Sequence, residues 1–231
     1  MLFDQYHCEM RLREGLNAMK IALDDDRLAL LLRYLETFHR WNQSYNLSAI
    51  RDPVEMVTRH LLDSLTLVPY LREFVSTYNN QDKDQHQDKS ALNIIDVGTG
   101  GGLPGMPLAI VFPDVNVVLL DSNGKKTRFL FQTTLKLGLK NLIVENNRVE
   151  KFSPADKFAI VTSRAFASLQ DMVKGCAHLL ADEGEFWAMK GLYPESELVD
   201  CNDRVAIKAV HQLTVPYSDA ERHLLILKNK R

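Results

Sequence analysis

Apolar residues recur at three- and four-residue steps through Leu28, Leu31, Leu32, Leu35 and Phe38, directly after the acidic run Asp24-Asp25-Asp26. That spacing lines them along one face of a helix, and the carboxylates favour its N-terminus through capping and the macrodipole. A helix over about 25–42 is predicted. Less regular versions of the same step predict helices over 8–20, over 53–63 with Pro53 in the first turn, and over 64–77. The segment NNQDKDQHQDKS, 79–90, holds no aliphatic residue and reads as a solvated linker or insertion.

From Leu92 onward short apolar runs alternate with helical stretches. LNIIDV, VNVVLLD, NLIVEN, FAIVTS and GEFWAMK read as strands. Helices are predicted from Pro104, over 124–138, over 168–181 and near 194–202. Strands that alternate with helices imply βαβ units, hence a parallel sheet covered on both faces. The chain closes differently: residues 205–215 and 223–229 are two strand-like runs joined by the short polar segment PYSDAER, which predicts an antiparallel hairpin. The expected organisation is a helical segment over 1–78, the polar stretch 79–90, and a Rossmann-like α/β domain over 91–231.

Composition narrows the function classes. Of 231 residues, 45% are hydrophobic and 25% charged, enough for a sizeable core and unlike a disordered chain. With 28 Lys plus Arg against 30 Asp plus Glu the net charge is −2, so any contact with nucleic acid must come from a local patch. Cys8, Cys176 and Cys201 are odd in number and scattered, which suits reduced thiols. Cys176 and His178 have no second pair at ligand spacing, so no zinc site is expected. There is neither a membrane-length apolar run nor a signal-peptide pattern, and a soluble, cytoplasmic protein is expected.

The sharpest chemical signal is Asp96-Val97-Gly98-Thr99-Gly100-Gly101-Gly102-Leu103-Pro104-Gly105, which leaves a strand and enters a helix. Closely spaced glycines let the backbone turn tightly and approach a ligand, and the helix start offers N–H groups. Gly100, Gly102 and Gly105 fit the dinucleotide pattern, and Asp121 ends the next strand as a ribose-binding acid should. Two features speak against a pyrophosphate: the carboxylate of Asp96 beside the loop, and Gly98 rather than Gly100 as the first glycine after the strand. A ligand without phosphates and with a positive centre, S-adenosylmethionine, suits the acidic edge better. A closing antiparallel hairpin is the plan of class I methyltransferases, whereas NAD domains keep their sheet parallel.

These residues carry a specific resemblance. DVGTGGGLPGMPLAI, LLDS followed by Lys125-Lys126, Arg148-Val149-Glu150, SRAFASL at 163–169, Lys190-Gly191 and Glu221-Arg222-His223-Leu224 resemble the small-subunit ribosomal RNA guanine-N7 methyltransferases (glucose-inhibited division protein B, methyltransferase G). The helical segment matches as well, with Trp41-Asn42, Tyr45-Asn46-Leu47 and Arg59-His60-Leu61-Leu62-Asp63-Ser64. The resemblance runs from about residue 28 to the C-terminus. Gly101 stands where relatives usually carry Pro or Ala, which is expected to loosen the loop.

The resemblance implies transfer of the methyl group of S-adenosylmethionine to guanine N7 in small-subunit (16S) ribosomal RNA, free or in an assembling small subunit. It places the cofactor's methionine end along Gly98 and Gly100 with Leu103 at the loop, its ribose before Asp121 and Ser122, and its adenine against Val149 and Glu150. Arg164, just after a strand, would meet cofactor and substrate and position them, with no general base required; a salt bridge at the sheet edge is the alternative for this residue. Lys125, Lys126, Arg128 and Arg148, joined by Lys190 and Arg222, supply cations for RNA phosphates. Phe38, Trp41 and Tyr45 lie at helical spacing and are expected to pack helices rather than stack bases. Two other functions stay open at this point: a Rossmann-type NAD-binding oxidoreductase, and a noncatalytic RNA-binding assembly factor.

Overall fold

In the computed structural model, residues 2–81, 92–164, 166, 168–201 and 204–230 are described. Helix α1 (Gln5–Ala18) precedes α2 (Asp25–Tyr45). As the acidic run predicts, the Asp24 side chain caps α2 by accepting from Arg27 N, and the helix stops at Asn46, a residue in the left-handed conformation with φ 50°. Pro53 opens α3 (Pro53–Met56), which continues through a π-helical stretch, Val57–Leu62, into α4 (Asp63–Leu65). Wide π turns are rare and frequent at functional sites. A periodicity argument at 3.6 residues cannot show one. Helix α5 (Val68–Gln81) takes the first residues of the polar stretch, and the rest of 79–90 lies outside the described residues.

Among the described residues the sheet has seven strands, in the order β3-β2-β1-β4-β5-β7-β6. Strands β1 (Asn93–Val97), β2 (Asn116–Asp121), β3 (Leu142–Asn146), β4 (Phe158–Ser163) and β5 (Leu180–Lys190) pair in parallel. β7 (His223–Asn229) then pairs antiparallel with β5, and β6 (Val205–Gln212) antiparallel with β7, which is the predicted hairpin. Connecting helices are α6 (Gly105–Val111), α7 (Gly124–Leu137), α8 (Leu169–Cys176) and α9 (Glu195–Cys201). Several boundaries differ from expectation: the helices predicted over 8–20, 25–42 and 64–77 run over Gln5–Ala18, Asp25–Tyr45 and Val68–Gln81, and two differences fall at the sheet. The helix predicted over 168–181 ends at Cys176, and β5 already begins at Leu180, because Leu180 is buried opposite Phe158 of β4. The first hairpin strand ends at Gln212 instead of 215.

One face of the sheet and the N-terminal helices share a single apolar core that includes Leu31, Leu35 and Phe38 of α2, Leu61 and Leu62, Met106 of α6, Phe129 of α7 and Trp187 of β5. The opposite face is covered by α8 and α9 through Leu169, Met172, Val173 and Leu198. The chain runs outward from β1 to β3 and then restarts at β4 on the other side of β1, so the crevice at the C-terminal ends of β1 and β4 is a topological switch point. Ligands of open α/β sheets bind at such a place.

Candidate active site

The glycine loop leaves β1 at this crevice. Gly98, Gly100 and Gly102 have φ values of 68°, 61° and 95°, a region costly for side chains with a Cβ. Gly98 N and Thr99 N both donate to Leu120 O, which draws the loop across the end of β2. Leu103 is buried beneath it.

Two carboxylates shape the loop. Asp96 is fully buried, and its Oδ2 accepts from Thr99 Oγ1 at 2.6 Å and Gly105 N at 2.9 Å. The helix-start N–H that a bound phosphate would take is thus already held by a carboxylate, which disfavours a pyrophosphate there. Asp96 Oδ1 has no hydrogen-bond partner among the described residues. Burial pushes the acid up to about 6, against the pull of its bonds to Thr99 and Gly105. Asp121, at the end of β2, accepts from Gly100 N through Oδ2 and from Asn123 N through Oδ1, each at 2.8 Å. Each of its oxygens has a lone pair left for a ligand hydroxyl. Ser122 beside it is exposed.

The residues present fit S-adenosylmethionine. A buried, unpartnered carboxylate oxygen under a glycine loop suits an ammonium group, and the paired oxygens of Asp121 suit a ribose diol. Val149 and Glu150 lie in a short 3-10 turn, Val149–Lys151, where Val149 packs inward against the α8 side and Glu150 is exposed.

The cations fall into two groups. Lys125, Lys126, Arg128 and Arg148 stand at the β2 and β3 side, with Lys126 Nζ leaning over the glycine loop, 3.9 Å from where a Cβ on Gly100 would be. Arg164, Lys190 and Arg222 stand at the ends of β4, β5 and β7; β3 and β5 are four strand positions apart, roughly 20 Å. Arg164 makes the salt bridge weighed above, to Asp63 Oδ2 at 2.9 Å. Arg222 binds the other oxygen of the same carboxylate, and Lys190 pairs with Glu197 Oε2 at 2.8 Å. A cavity of about 820 Å³ opens beside them, lined by Arg164, Phe166, Lys190 and residues of the segment 191–199.

Sequence reasoning gave Asp63 no role. A charged residue inside the run Leu61-Leu62-Asp63-Ser64-Leu65, all of it buried, is the signal that marks it. Phe38 packs on Phe129 and His60 and against the loop, while Trp41 stacks on Tyr45 at 4.8 Å. Cys8 and Cys176 are no nucleophiles: burial pushes both thiols up to about 12. No helix among the described residues is long and apolar enough to cross a membrane.

Comparison with known proteins identifies the family. The family described as rRNA small subunit methyltransferase G (GidB) matches residues 27–225. A relative named ribosomal RNA small subunit methyltransferase G, from Cellvibrio japonicus, is 51% identical over 218 residues, covering 94% of this chain and 94% of its own. The protein of that name from Pseudomonas aeruginosa is 46% identical over 224 residues, covering 97% and 96%. Among solved structures, the N-methyltransferase NodS from Bradyrhizobium japonicum, in complex with S-adenosyl-L-homocysteine, superposes with a TM-score of 0.56 over 84% of this chain and 99% of that one. At 12% identity this is a likeness of fold alone.

Proposed function

The chain belongs to the rRNA small subunit methyltransferase G family, and from that premise we propose that it methylates N7 of a guanosine in small-subunit ribosomal RNA. When bound, S-adenosylmethionine supplies an electrophilic methyl group carried on a sulfonium. Guanine N7 has an in-plane lone pair and no proton, so the protein needs no side chain to act as general base. Its work is to hold the reactants in line, an effect that can supply several kcal/mol.

Gly98, Gly100 and Leu103 then line the cofactor's methionine end, Asp121 and Ser122 its ribose, Val149 and Glu150 its adenine. Arg164, across the switch point from the loop, positions the substrate. Lys125, Lys126, Arg128, Arg148, Lys190 and Arg222 face the RNA. The observation that carries this reading is Asp96: a carboxylate holds the helix-start N–H and leaves one buried oxygen without a partner, which sets uncompensated negative charge beneath the loop, favours a cationic ligand and disfavours the pyrophosphate of NAD.

Transfer of labelled methyl to small-subunit rRNA, followed by mapping of the modified base, tests the proposal. Label in 7-methylguanosine is the expected result. Label on another atom refutes the N7 acceptor, and binding without transfer favours the assembly-factor reading.

A further inference from the structure

Asp63 sits where the π-helical stretch returns to α-helix, with its side chain 3% exposed. Its Oδ2 accepts from Arg164 Nη1 at 2.9 Å and its Oδ1 from Arg222 Nε at 2.8 Å. Arg164 directly follows β4 and Arg222 directly precedes β7, the two strands that flank β5, at the sheet edge where the cofactor loop also lies. A residue of the N-terminal helical segment thus aims two side chains, one beside the end of β4 and one beside the start of β7.

One arginine would neutralise a buried carboxylate. The second leaves the trio with one net positive charge at the rim, where both guanidiniums keep partial exposure, 29% and 27%. Their other hydrogen bonds go to backbone, from Arg164 Nη1 to Arg59 O and from Arg222 Nη1 to Glu221 O. Arg164 Nε and Nη2 and Arg222 Nη2 have no acceptor among the described residues. Fixed, cationic and with donors to spare, the pair is prepared for an anion.

We propose that Asp63 is a positioning residue that sets Arg164 and Arg222 as a two-armed grip on the RNA phosphate backbone next to the target guanosine. The proposal rests on the methyl-transfer reading above. Phosphate is the better partner than the base for two reasons. Methylation at N7 places positive charge on guanine, which two guanidiniums against the ring would oppose. An arginine on the N7 edge would also occupy the lone pair that must attack. A phosphate group instead offers paired oxygens that match the guanidinium fork and fix the position of the strand.

The test is Asp63→Asn in the full-length protein, with steady-state methylation of small-subunit rRNA, titration with S-adenosylhomocysteine and thermal melting. We expect kcat/KM for RNA to fall on the order of 100-fold, mostly through KM, with S-adenosylhomocysteine affinity unchanged. Charge alone makes the opposite forecast, since removing the carboxylate makes the site more positive and should tighten RNA binding. A KM that is unchanged or lower therefore overturns the positioning role. Arg222→Gln should also cost much less in the Asp63→Asn background than in the wild type, and full additivity overturns it. If Asp63→Asn gives no melting transition, Arg222→Lys keeps the charge and loses the fork; it should raise KM at constant S-adenosylhomocysteine affinity, and an unchanged KM overturns the proposal. Wild-type protein that binds S-adenosylhomocysteine yet methylates no small-subunit rRNA overturns both readings, whereas wild-type activity unaltered in Asp63→Asn overturns this one alone.

Discussion

Tyr34 Oη donates a hydrogen bond to Gly101 O at 2.7 Å, which ties the middle of the glycine loop to the buried face of α2. The N-terminal helices therefore support the cofactor loop from beneath as well as adding to the core. In Tyr34→Phe the buried carbonyl loses its donor at nearly constant volume, a loss of about 1 kcal/mol. If that loss is felt at the loop, affinity for S-adenosylhomocysteine falls roughly fivefold. Calorimetric titration checks it, and equal affinities would show that the bond stabilises the fold without shaping the site.

Phe38 supplies a second support. A Cβ built on Gly101 would lie 2.2 Å from Phe38 Cε2, so the ring occupies the space that a side chain at 101 would need. The loop that the sequence suggested was loosened by glycine is braced by an aromatic ring instead. Gly101→Ala is predicted to destabilise the protein by about 1–3 kcal/mol through overpacking. Phe38→Leu should relieve much of that penalty when the two are combined, so a denaturant-melting double-mutant cycle should be strongly non-additive. Simple additivity would mean that the loop, not the ring, moves aside.

Much of this was legible in the sequence. Periodicity located α2, and alternation located the parallel strands and the closing hairpin, because burial on two faces or one writes itself directly into residue order. The glycine loop and Asp121 were equally visible, since they depend on local backbone needs. What stayed hidden depends on contacts between residues far apart in the chain: Arg164 and Arg222 meeting on Asp63, and Tyr34 and Phe38 meeting Gly101. Residue order records that Asp63 is an acid in an apolar run, not which cations reach it. The cations grouped by sequence as one RNA-facing set are also divided in space by the intervening strands.

Asp96 and His60 should oppose one another in acid. Burial raises Asp96 to about 6 from 3.8, so between those values the folded protein holds a proton that the unfolded chain has released, and stability grows as pH falls. Burial, helped by Arg164, lowers His60 to about 4 from 6.5, so there the unfolded chain holds the extra proton and stability is lost as pH falls from 6.5 towards 4. Relative to wild type, the melting temperature of Asp96→Asn should drop as the pH is lowered from 6 to 4, and that of His60→Gln should rise from 6.5 to 4. Parallel pH curves for wild type and either variant would show that the residue concerned does not titrate between its folded and unfolded values.

The pH dependence of activity should divide between binding and chemistry. Above about pH 6 Asp96 is ionised, and its buried oxygen offers charge to the ammonium group of the cofactor; below, a proton removes that charge. Affinity for S-adenosylhomocysteine should weaken as pH falls below about 6, approaching tenfold per unit if only the ionised form binds. In Asp96→Asn affinity should be lower and nearly independent of pH. The single-turnover rate with both substrates saturating behaves differently, because N7 carries no proton and no group has to accept one. That rate is predicted to stay nearly flat between about pH 6.5 and 8.5. Arg164→Gln should lower it by misplacing the RNA, without adding a slope. Constant S-adenosylhomocysteine affinity from pH 5 to 8 would remove Asp96 from cofactor binding. A tenfold rise in the saturated rate per pH unit, with folding and binding intact, would require a deprotonating residue and would exclude N7 in favour of an acceptor that carries a proton.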